Sequence, residues 1–353
     1  MHDNQHYSGL RQFIVAAARN KNPIQFIAGG SKAFYGAPAI GKELPISDNQ
    51  GVINYQPSEL VITVRAGTRL SELENLLASE RQMLGFEPPH FTSSATIGGA
   101  ISTGLSGPRR VFAGAARDFV LGCKIINGKG EILSFGGEVM KNVAGYDVSR
   151  LMVGAMGTLG LILEVSIKVL PLPMLERTLS YLLNSDQALA TMTQWRSQYL
   201  PVTAMCYDGK SLTVRVSGTE SEVQATIKKL GVEGRVLDNH YWRDVNEQQL
   251  PFFQTQENIW RISVPPATPV LNIQGQWFYD WCGALRWLKT EQTAEHIFNV
   301  VQQAGGHATL FRSQQGDFIA QPLVPRIRVI NQNIKQAFDP YAILNRQRRI
   351  WHV

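Results

Sequence analysis

In the first half of the chain, short apolar runs alternate with glycine-rich turns, a pattern typical of strands with few helices. Leucines at positions 70, 73, 76 and 77 recur at helical spacing and predict a helix over Thr68–Glu80. The turn 127–130, Asn-Gly-Lys-Gly, between two apolar runs predicts a hairpin. The strands predicted in this half are Pro23–Ala28, Gly51–Asn54, Leu60–Arg65, Phe119–Ile126, Glu131–Ser134 and Leu159–Val169.

The second half alternates strand and helix patterns. Predicted strands are Leu175–Leu183, Thr203–Asp208, Ser211–Ser217, Trp260–Val264, Leu285–Leu288 and His307–Arg312. Predicted helices are Asp186–Gln198, Glu220–Leu230, Thr293–Ala304 and Pro325–Phe338. A β-α-β-β-α-β order indicates an antiparallel sheet with helices on one face, so the fold class is α+β.

Glycine and tryptophan divide the chain into two parts. Of the 31 glycines, 22 lie at or before position 170, whereas all seven tryptophans lie after it. Two prolines in Leu170–Met174 mark the boundary, and 353 residues suffice for two domains. Glycine permits close backbone approach to a ligand, so the first half is expected to hold one. The predicted domains are 1–172, 173–324 and a C-terminal helix and tail over 325–353 that returns to the first.

Composition excludes several classes of protein. No apolar run approaches the roughly 18 residues of a membrane span, and the first residues carry no signal-peptide pattern. Three widely spaced cysteines argue for a reducing compartment, so a cytoplasmic protein is expected. The histidines and cysteines show no metal-ligand spacing, and no nucleic-acid-binding motif is present. The net charge of +6 is scattered, densest at Arg346, Arg348 and Arg349. That cluster is either a solvated face or a contact for an anionic ligand, an acidic partner or a membrane.

Three glycine-rich segments are candidates for binding chemistry. Residues 27–36, IAGGSKAFYG, directly follow a predicted strand and could aim consecutive N–H groups at an anion. Residues 96–107, TIGGAISTGLSG, are expected to form a long extended loop that a large, flat cofactor would order. The third segment runs from Lys141 to Leu151 and on to Ile162. The chain has no GxGxxG motif, and residues 36–43 fail the Walker pattern at Glu43, so neither common nucleotide site is expected.

Four stretches in the same order resemble the PCMH-type FAD-binding domain of the vanillyl-alcohol oxidase superfamily. They are AGGSKAFYG, ATIGGAISTGLSG, RDFVLG, and KNVAGYDVSRLMVGAMGTLGLILEVSIKVLPLP. Together with EPPH and GGALRWLK they resemble most closely the flavin subunits of bacterial glycolate oxidases. The resemblance implies a PCMH-type FAD-binding domain of two α+β subdomains followed by an α+β cap domain with an antiparallel sheet.

The resemblance assigns cofactor-binding residues segment by segment. Gly29, Gly30, Ser31, Lys32 and Ala33 would hold the FAD pyrophosphate. Thr96, Gly98, Gly99, Ser102, Gly104 and Gly107 would run beside the flavin and ribityl chain, and Gly157, Gly160 and Ile162 would lie near the adenine and ribose. The C-terminal family signature resembles DPxGxxNPGR. Its Asn is present in this chain as Asn345, which is therefore a further cofactor-binding candidate, whereas the Pro and Gly of the signature are absent. Ser31-Lys32 stands where covalently flavinylated members often carry a histidine, so the FAD is expected to be non-covalent.

Candidate catalytic residues come from the second half. Oxidation of a 2-hydroxy acid requires a base and a cation for the carboxylate. Arg286, His307 and Arg312 lie in or beside predicted strands and could supply them; the alternative is that they are structural. The metal-binding histidine motif of larger relatives, HxGDGNxH, is absent, so no metal site is expected. The aromatic stretch Ile273–Asp280 is either a partner-binding patch or a core strand.

The resemblance implies an FAD-dependent oxidoreductase acting on the CH–OH group of 2-hydroxy acids. The chain would be a subunit of a complex that oxidises glycolate to glyoxylate, beside a longer paralogous flavin subunit and an iron–sulfur subunit. Because the histidine motif is absent, we expect the paralogue to perform the main oxidation and this chain to hold an FAD for electron relay or support. The complex would contact the inner face of the cell membrane only peripherally. The alternatives are a self-sufficient flavin oxidase of another hydroxy acid or alcohol, and a flavin-free scaffold subunit.

Overall fold

A computed structural model describes residues 6–137, 147–231 and 234–348, which divide into two compact units. The first unit comprises Met1–Leu105, Ala115–Pro171 and Pro322–Val353, and the second comprises Ser106–Gly114 and Leu172–Gln321. The chain thus leaves the first unit twice, and the short excursion at 106–114 lies inside the segment that the sequence assigned to the first domain. Within the described ranges, no helix is long and apolar enough to cross a membrane.

The first unit contains nine short strands among its described residues. They are β1 Ile24–Ile27, β2 Lys42–Pro45, β3 Val52–Gln56, β4 Val61–Arg65, β5 Gln82–Met83, β6 Val120–Ile126, β7 Ile132–Gly136, β8 Leu161–Lys168 and β9 Leu170–Pro171. Its helices are Ser8–Asn20, Leu70–Ser79, Ile97–Thr103, Ala116–Phe119, Val148–Met152 and Pro325–Phe338, with a 3-10 turn at Pro57–Glu59. The elements therefore mix helix and strand throughout this unit.

An antiparallel five-stranded sheet, in the order β3-β4-β8-β6-β7, is the main sheet of the first unit. Its central strand β8 is buried along almost its whole length, as expected for an apolar strand covered on both faces. A second, parallel pair joins β1 to β2. The helix Ser8–Asn20 packs its buried face against Ile24, Leu161 and Leu344, so this core joins the beginning and the end of the described chain.

The second unit contains the strands β10 Leu175–Leu182, β11 Val202–Tyr207, β12 Ser211–Gly218, β13 Arg235–Leu237, β14 Ile259–Ser263, β15 Gln276–Asp280, β16 Leu285–Lys289 and β17 His307–Arg312. Its helices are Arg110–Ala113, Ser185–Ser197, Glu220–Leu230, Tyr241–Asn246 and Ala294–Gln303, and a 3-10 turn covers Trp281–Gly283. The strands form one antiparallel eight-stranded sheet in the order β13-β10-β12-β11-β15-β16-β14-β17. Two apolar clusters pack helices against it.

The α+β class and the antiparallel sheet predicted from the sequence are confirmed, and several elements match to the residue. The helix Glu220–Leu230 begins at a capping box formed by Thr219 and Glu222, the local signal that fixes its start. The stretch Ile273–Asp280 is a core segment rather than a partner patch, since Phe278 and Tyr279 are buried in β15. Part of the third glycine-rich segment, residues 141–146, lies outside the described residues.

The predicted extended loop over 96–107 is wrong. Residues Ile97–Thr103 form a helix, and the hydroxyl of Thr96 caps it by accepting a hydrogen bond from the Gly99 N–H at 3.2 Å. Apolar residues at 97, 100 and 101 have the helical spacing, and they are buried. Because glycine disfavours helix, the high glycine content of the segment outweighed this apolar spacing in the prediction.

A partly buried polar network on the second unit's sheet centres on Glu176. Its carboxylate accepts from Arg109 Nη2 at 2.7 Å and from the Ser217 hydroxyl, with Arg215 Nε 3.7 Å away. Burial alone would raise the pKa of Glu176, but Arg215, Ser217 and Arg109 outweigh it and hold the pKa below its usual range. The carboxylate therefore stabilises the fold while it is ionised.

We expect the substitution Glu176→Gln to destabilise the protein by about 1.5–3 kcal/mol at neutral pH, the range for hydrogen bonds to charged groups. A carboxyl with a lowered native pKa contributes stability above its unfolded pKa, and that contribution disappears as the pH falls through the native pKa. The difference between wild type and variant should therefore shrink below about pH 4, near the ordinary glutamate value. Urea unfolding from neutral to acidic pH measures it. A difference that is independent of pH would contradict an ionic role for Glu176.

Candidate functional site

A cleft in the first unit encloses about 910 Å³ of empty space, part of it open to solvent. Its walls come from the turn after β1, the start of the helix Ile97–Thr103, the turn before β8 and the C-terminal tail. The lining residues are Gln25–Ala33, Ala39, Ile46, Ala66, Thr96, Gly98, Gly99, Ser102, Thr103, Met156, Gly157, Gly160, Ile162, Asn345 and Arg348.

The turn after β1 presents unpaired backbone donors. Among the described residues, the N–H groups of Gly29, Gly30 and Ser31 have no hydrogen-bond acceptor, whereas Ala33 N–H donates to Gly30 O at 3.0 Å. Gly30 has φ +67, which glycine adopts without strain. Three neighbouring unpaired N–H groups beside a cleft are suited to an anion with several oxygens.

Glycine at position 29 is required by a close approach of two loops. A Cβ there would lie 1.7 Å from the carbonyl oxygen of Ser94, whose own hydroxyl donates to Gly29 O. The two loops are therefore held in direct backbone contact. This contact fixes where the unpaired N–H groups lie.

Lys32 adds a positive charge to the same wall. It is only 5% exposed, and its ammonium lies 3.2 Å from the Ser31 hydroxyl and 3.4 Å from His90 O. The Phe91 ring centroid is 5.6 Å from the ammonium. An ammonium among unpaired N–H groups favours a negatively charged ligand group.

The helix Ile97–Thr103 forms the second wall. A Cβ on Gly98 would lie 2.6 Å from Ala66 Cβ, and the Gly98 N–H donates to Ala66 O at 2.8 Å, so the helix start packs directly on the chain after β4. Gly98, Gly99 and Ser102 line the cleft along the helix. The sequence analysis gave these residues the wrong local structure, an extended loop instead of a helix.

The C-terminal tail closes the cleft through Asn345. Its side-chain oxygen accepts from the Phe26 N–H in β1, and its side-chain nitrogen donates to Met156 O, both at 2.8 Å. A Cβ on Gly157 would lie 2.5 Å from that nitrogen. Asn345 therefore ties two walls together, which explains why asparagine is present although the neighbouring Pro and Gly of the family signature are not.

Arg348 is a lining residue that the sequence did not select. Its guanidinium donates to Lys32 O at 2.8 Å and to Ala33 O at 2.9 Å, and burial lowers the pKa of the group. The Arg348 side chain thus stabilises the turn after β1 by binding its backbone carbonyl groups. The signal was visible as the basic cluster at 346–349, but a solvated basic face was the favoured interpretation, and it is wrong for Arg348.

Two predicted cofactor residues are placed elsewhere. Gly104 has φ +65 and ends the helix Ile97–Thr103 by donating to Ala100 O and Ile101 O. Gly107 belongs to the second unit, where its carbonyl accepts from the Trp281 indole N–H at 3.0 Å. Both residues were assigned to the cofactor by the family resemblance. The remaining thirteen predicted residues line the cleft: Gly29, Gly30, Ser31, Lys32, Ala33, Thr96, Gly98, Gly99, Ser102, Gly157, Gly160, Ile162 and Asn345.

Of the three candidate catalytic residues, Arg286 has a structural environment. It is fully buried, and its guanidinium donates to the carbonyls of Gly283 at 3.0 Å, Pro269 at 2.7 Å and Thr268. Because Arg286 lies opposite Ile262 in the sheet, its side chain points to the apolar face. A carboxylate-binding role for Arg286 is therefore not compatible with its position.

His307 points to the other face of the same sheet. It lies opposite Ser263, which follows Ile262 in β14, and neighbouring residues of a strand point to opposite faces. Arg312 ends β17 beside a register shift, and partial burial lowers the pKa of its guanidinium. The structure therefore separates Arg286 from His307. In the described part of the chain, no three His, Cys, Asp or Glu side chains are grouped as a metal site would require.

Comparison with known proteins shows a matching family model and solved structures with the same fold. Residues 5–136 match the model of an FAD binding domain family. Among solved structures, p-cresol methylhydroxylase with substrate bound aligns with a TM-score of 0.70 at 14% identity, over 96% of this chain and 86% of that chain. An alkyldihydroxyacetonephosphate synthase aligns with a TM-score of 0.67 at 14% identity, over 96% of this chain and 75% of the other. These structures share the fold of this chain, and the family match places an FAD binding domain in its first part.

The sequence relatives identify the family. The chain is 43% identical to glycolate oxidase subunit GlcE of Escherichia coli (strain K12) over 336 residues, which is 95% of each chain. It is 34% identical over 166 residues to glycolate oxidase subunit GlcD of Bacillus subtilis (strain 168), covering 46% of this chain and 35% of that one. The chain belongs to the family of glycolate oxidase subunit GlcE. The resemblance noted in the sequence is thus confirmed.

Proposed function

We propose that this chain is the FAD-binding subunit of a complex that oxidises glycolate to glyoxylate. Its neighbours would be a longer paralogous flavin subunit and an iron–sulfur subunit. The observation that carries the proposal is the set of unpaired N–H groups at Gly29, Gly30 and Ser31 beside Lys32, all of which line one cleft. The strong similarity to GlcE supports the choice of complex.

The residues of the cleft fit FAD. The N–H groups after β1 and the Lys32 ammonium would hold the pyrophosphate, while Gly98, Gly99 and Ser102 allow a flat ring system to lie against the helix Ile97–Thr103. Gly157, Gly160 and Ile162 would contact the adenosine part. FAD supplies the capacity to accept a hydride and pass electrons on singly. The protein supplies the charge and the fixed donors that orient it.

Non-covalent binding of FAD is part of the proposal. The two residues after the glycine pair are Ser31 and Lys32, and neither is a usual attachment site. The only histidine in the first half of the sequence beyond the N-terminus is His90, whose imidazole lies 3.0 Å from the Glu74 carboxylate. Its ring is therefore engaged on the protein rather than lining the cleft.

We expect the purified chain to be yellow and to release all of its flavin on acid precipitation, because hydrogen bonds and charge alone would hold the cofactor. The measurement is the visible spectrum of the supernatant and of the redissolved pellet, with a covalent flavoprotein as control. Flavin in the pellet would contradict non-covalent binding. A colourless chain that also fails to bind added FAD would overturn the proposed function.

Turnover measurements test whether this chain alone or only the assembled complex oxidises glycolate. With the flavin retained, we expect the isolated chain to oxidise glycolate negligibly with an artificial acceptor, and the assembled complex to do so rapidly. This follows from the absence of the metal-binding histidine motif in the sequence. Rapid turnover by the isolated chain would favour the self-sufficient oxidase instead. In the cell, the complex would lie in the cytoplasm and contact the inner membrane face peripherally.

A further inference from the structure

The beginning of the helix Pro325–Phe338 exposes large apolar side chains. Those of Val324, Ile327, Val329 and Ile330 are 45% to 55% exposed, and no residue of this helix is fully buried. Ile327 and Ile330 are three positions apart, so their side chains lie next to each other on one face of the helix. Single exposed aliphatic residues are common, but such a concentration on one helix is typical of an interaction site.

The other end of the helix is held by the first unit. Lys335 Nζ donates to Thr158 O at 2.7 Å, and the carbonyl of Phe338 accepts from the Gly128 N–H at 2.9 Å. Thr158 directly follows Gly157, which lines the cofactor cleft. The helix is therefore bound to the wall of the cleft by its C-terminal half, whereas its N-terminal half presents apolar side chains to the solvent.

The charge around these apolar residues is positive. Residues 318–338 contain no Asp or Glu. In the parts of the chain that the structure describes, no carboxylate lies within ion-pair distance of Arg326 or Arg328, and Arg328 Nε is buried without a hydrogen-bond acceptor. Arg326 is four positions before Ile330, so its charge flanks the isoleucines. An apolar surface flanked in this way is complementary to an apolar groove with carboxylates at its rim.

The same features disfavour two other occupants. A second copy of the chain on a two-fold axis would bring Arg326 close to its own counterpart, and like charges repel. Helices that lie on a membrane surface use Trp, Phe or Leu on the apolar face, but this helix has no Trp or Leu and its one Phe is at the held end. Arginine is enriched at protein interfaces, which favours a protein partner.

We propose that Ile327 and Ile330 insert into an apolar groove, rimmed by carboxylates, on the iron–sulfur subunit of the complex. Amphipathic helices bind grooves through apolar residues three or four positions apart, as these two are. The choice of this subunit rests on the proposed function, in which the FAD of this chain passes electrons to an acceptor. A helix bound to the wall of the cofactor cleft would place that acceptor beside the FAD.

The test is the dissociation constant between the FAD-loaded chain and the purified iron–sulfur subunit, measured by biolayer interferometry. The double variant Ile327→Ser with Ile330→Ser should bind at least about tenfold more weakly, because each isoleucine withdrawn from water favours the complex. Leu182→Ser, at an exposed leucine of the second unit, is the matched control and should bind as wild type does.

A charge reversal tests the arginine separately. Arg326→Glu should weaken binding to the iron–sulfur subunit, and more so at low than at high ionic strength, because salt screens charges at the rim of an interface. Arg235→Glu, at an exposed arginine of β13, changes the net charge equally and should leave the affinity unchanged. Equal effects of both reversals would show that only the net charge of the chain matters and would contradict the docking site.

The docking site is also wrong if the double variant binds the iron–sulfur subunit as tightly as Leu182→Ser does. It is equally wrong if Ile327 and Ile330 are required instead for binding the paralogous flavin subunit, vesicles of anionic phospholipid or a second copy of the chain. The flavin spectrum and melting temperature show whether each variant is folded. A chain that holds FAD in a glycolate-oxidising complex but is insensitive to the double variant disproves the docking site alone, whereas a chain without FAD fails the proposed function.

Discussion

The substitution Gly29→Ala should weaken FAD binding by roughly 100-fold or more. The new Cβ would lie 1.7 Å from Ser94 O, so one of the two loops has to move. Such a movement displaces the N–H groups of residues 29–31 that we assign to the pyrophosphate. A hydrogen bond to a charged group contributes about 1.5–3 kcal/mol, and the loss of two corresponds to at least roughly 100-fold.

The measurement is titration of the flavin-free protein with FAD, followed by flavin fluorescence. Gly9→Ala is a matched control, because Gly9 lies in the helix Ser8–Asn20 and a Cβ there has no atom within 4 Å. We expect it to bind FAD as wild type does and to be up to about 1 kcal/mol more stable. Wild-type affinity in Gly29→Ala would show that the turn after β1 does not hold the cofactor.

The second prediction with a large effect is a loss of unfolding free energy when Asp339 is substituted. This carboxylate is 1% exposed, lies 2.6 Å from Lys335 Nζ and accepts from the N–H groups of Ile343 and Leu344. Lys335 Nζ also donates to Thr158 O at 2.7 Å. Removing one charge of a buried pair leaves the other uncompensated, so Asp339→Asn should cost about 3–5 kcal/mol of unfolding free energy.

Urea unfolding measures this cost, and two variants make the result specific. Asp147→Asn removes a charge from the exposed pair with Arg150 but keeps a helix-capping oxygen, so about 1 kcal/mol or less is expected. The double variant Lys335→Met with Asp339→Asn should be less destabilised than Asp339→Asn alone, because no buried charge is left unpaired. If the double variant is destabilised more than Asp339→Asn alone, the two side chains do not act as a pair.

The sequence predicted elements best where local signals agree. The helices Glu220–Leu230 and Pro325–Phe338 and the strand His307–Arg312 have the predicted bounds, each with apolar spacing or a capping residue to define it. The strand Lys42–Pro45 was not predicted, since it is short and polar and exists through its parallel pairing with β1. Such pairings depend on residues distant in the chain, which periodicity does not report.

The candidate site was predicted in the same uneven way. The glycines that line the cleft stood out in the sequence because close backbone packing requires glycine, and the segments that pack closely are therefore rich in it. Arg348 was missed, because its guanidinium acts through the backbone carbonyls of Lys32 and Ala33. In β16 every residue is buried, so alternation could not show that Arg286 points into the apolar core.

The position of Asn345 has a consequence for the order in which the protein can mature. This residue bonds Phe26, 319 positions earlier, and its own N–H donates to Ile24 O. At synthesis rates of about 5–20 residues per second, roughly 15 to 60 seconds separate the arrival of the two walls. During that interval the nascent chain carries the turn after β1 without its closing segment. Stable capture of the cofactor is therefore expected only after residue 348 has left the ribosome, as a late step of biogenesis.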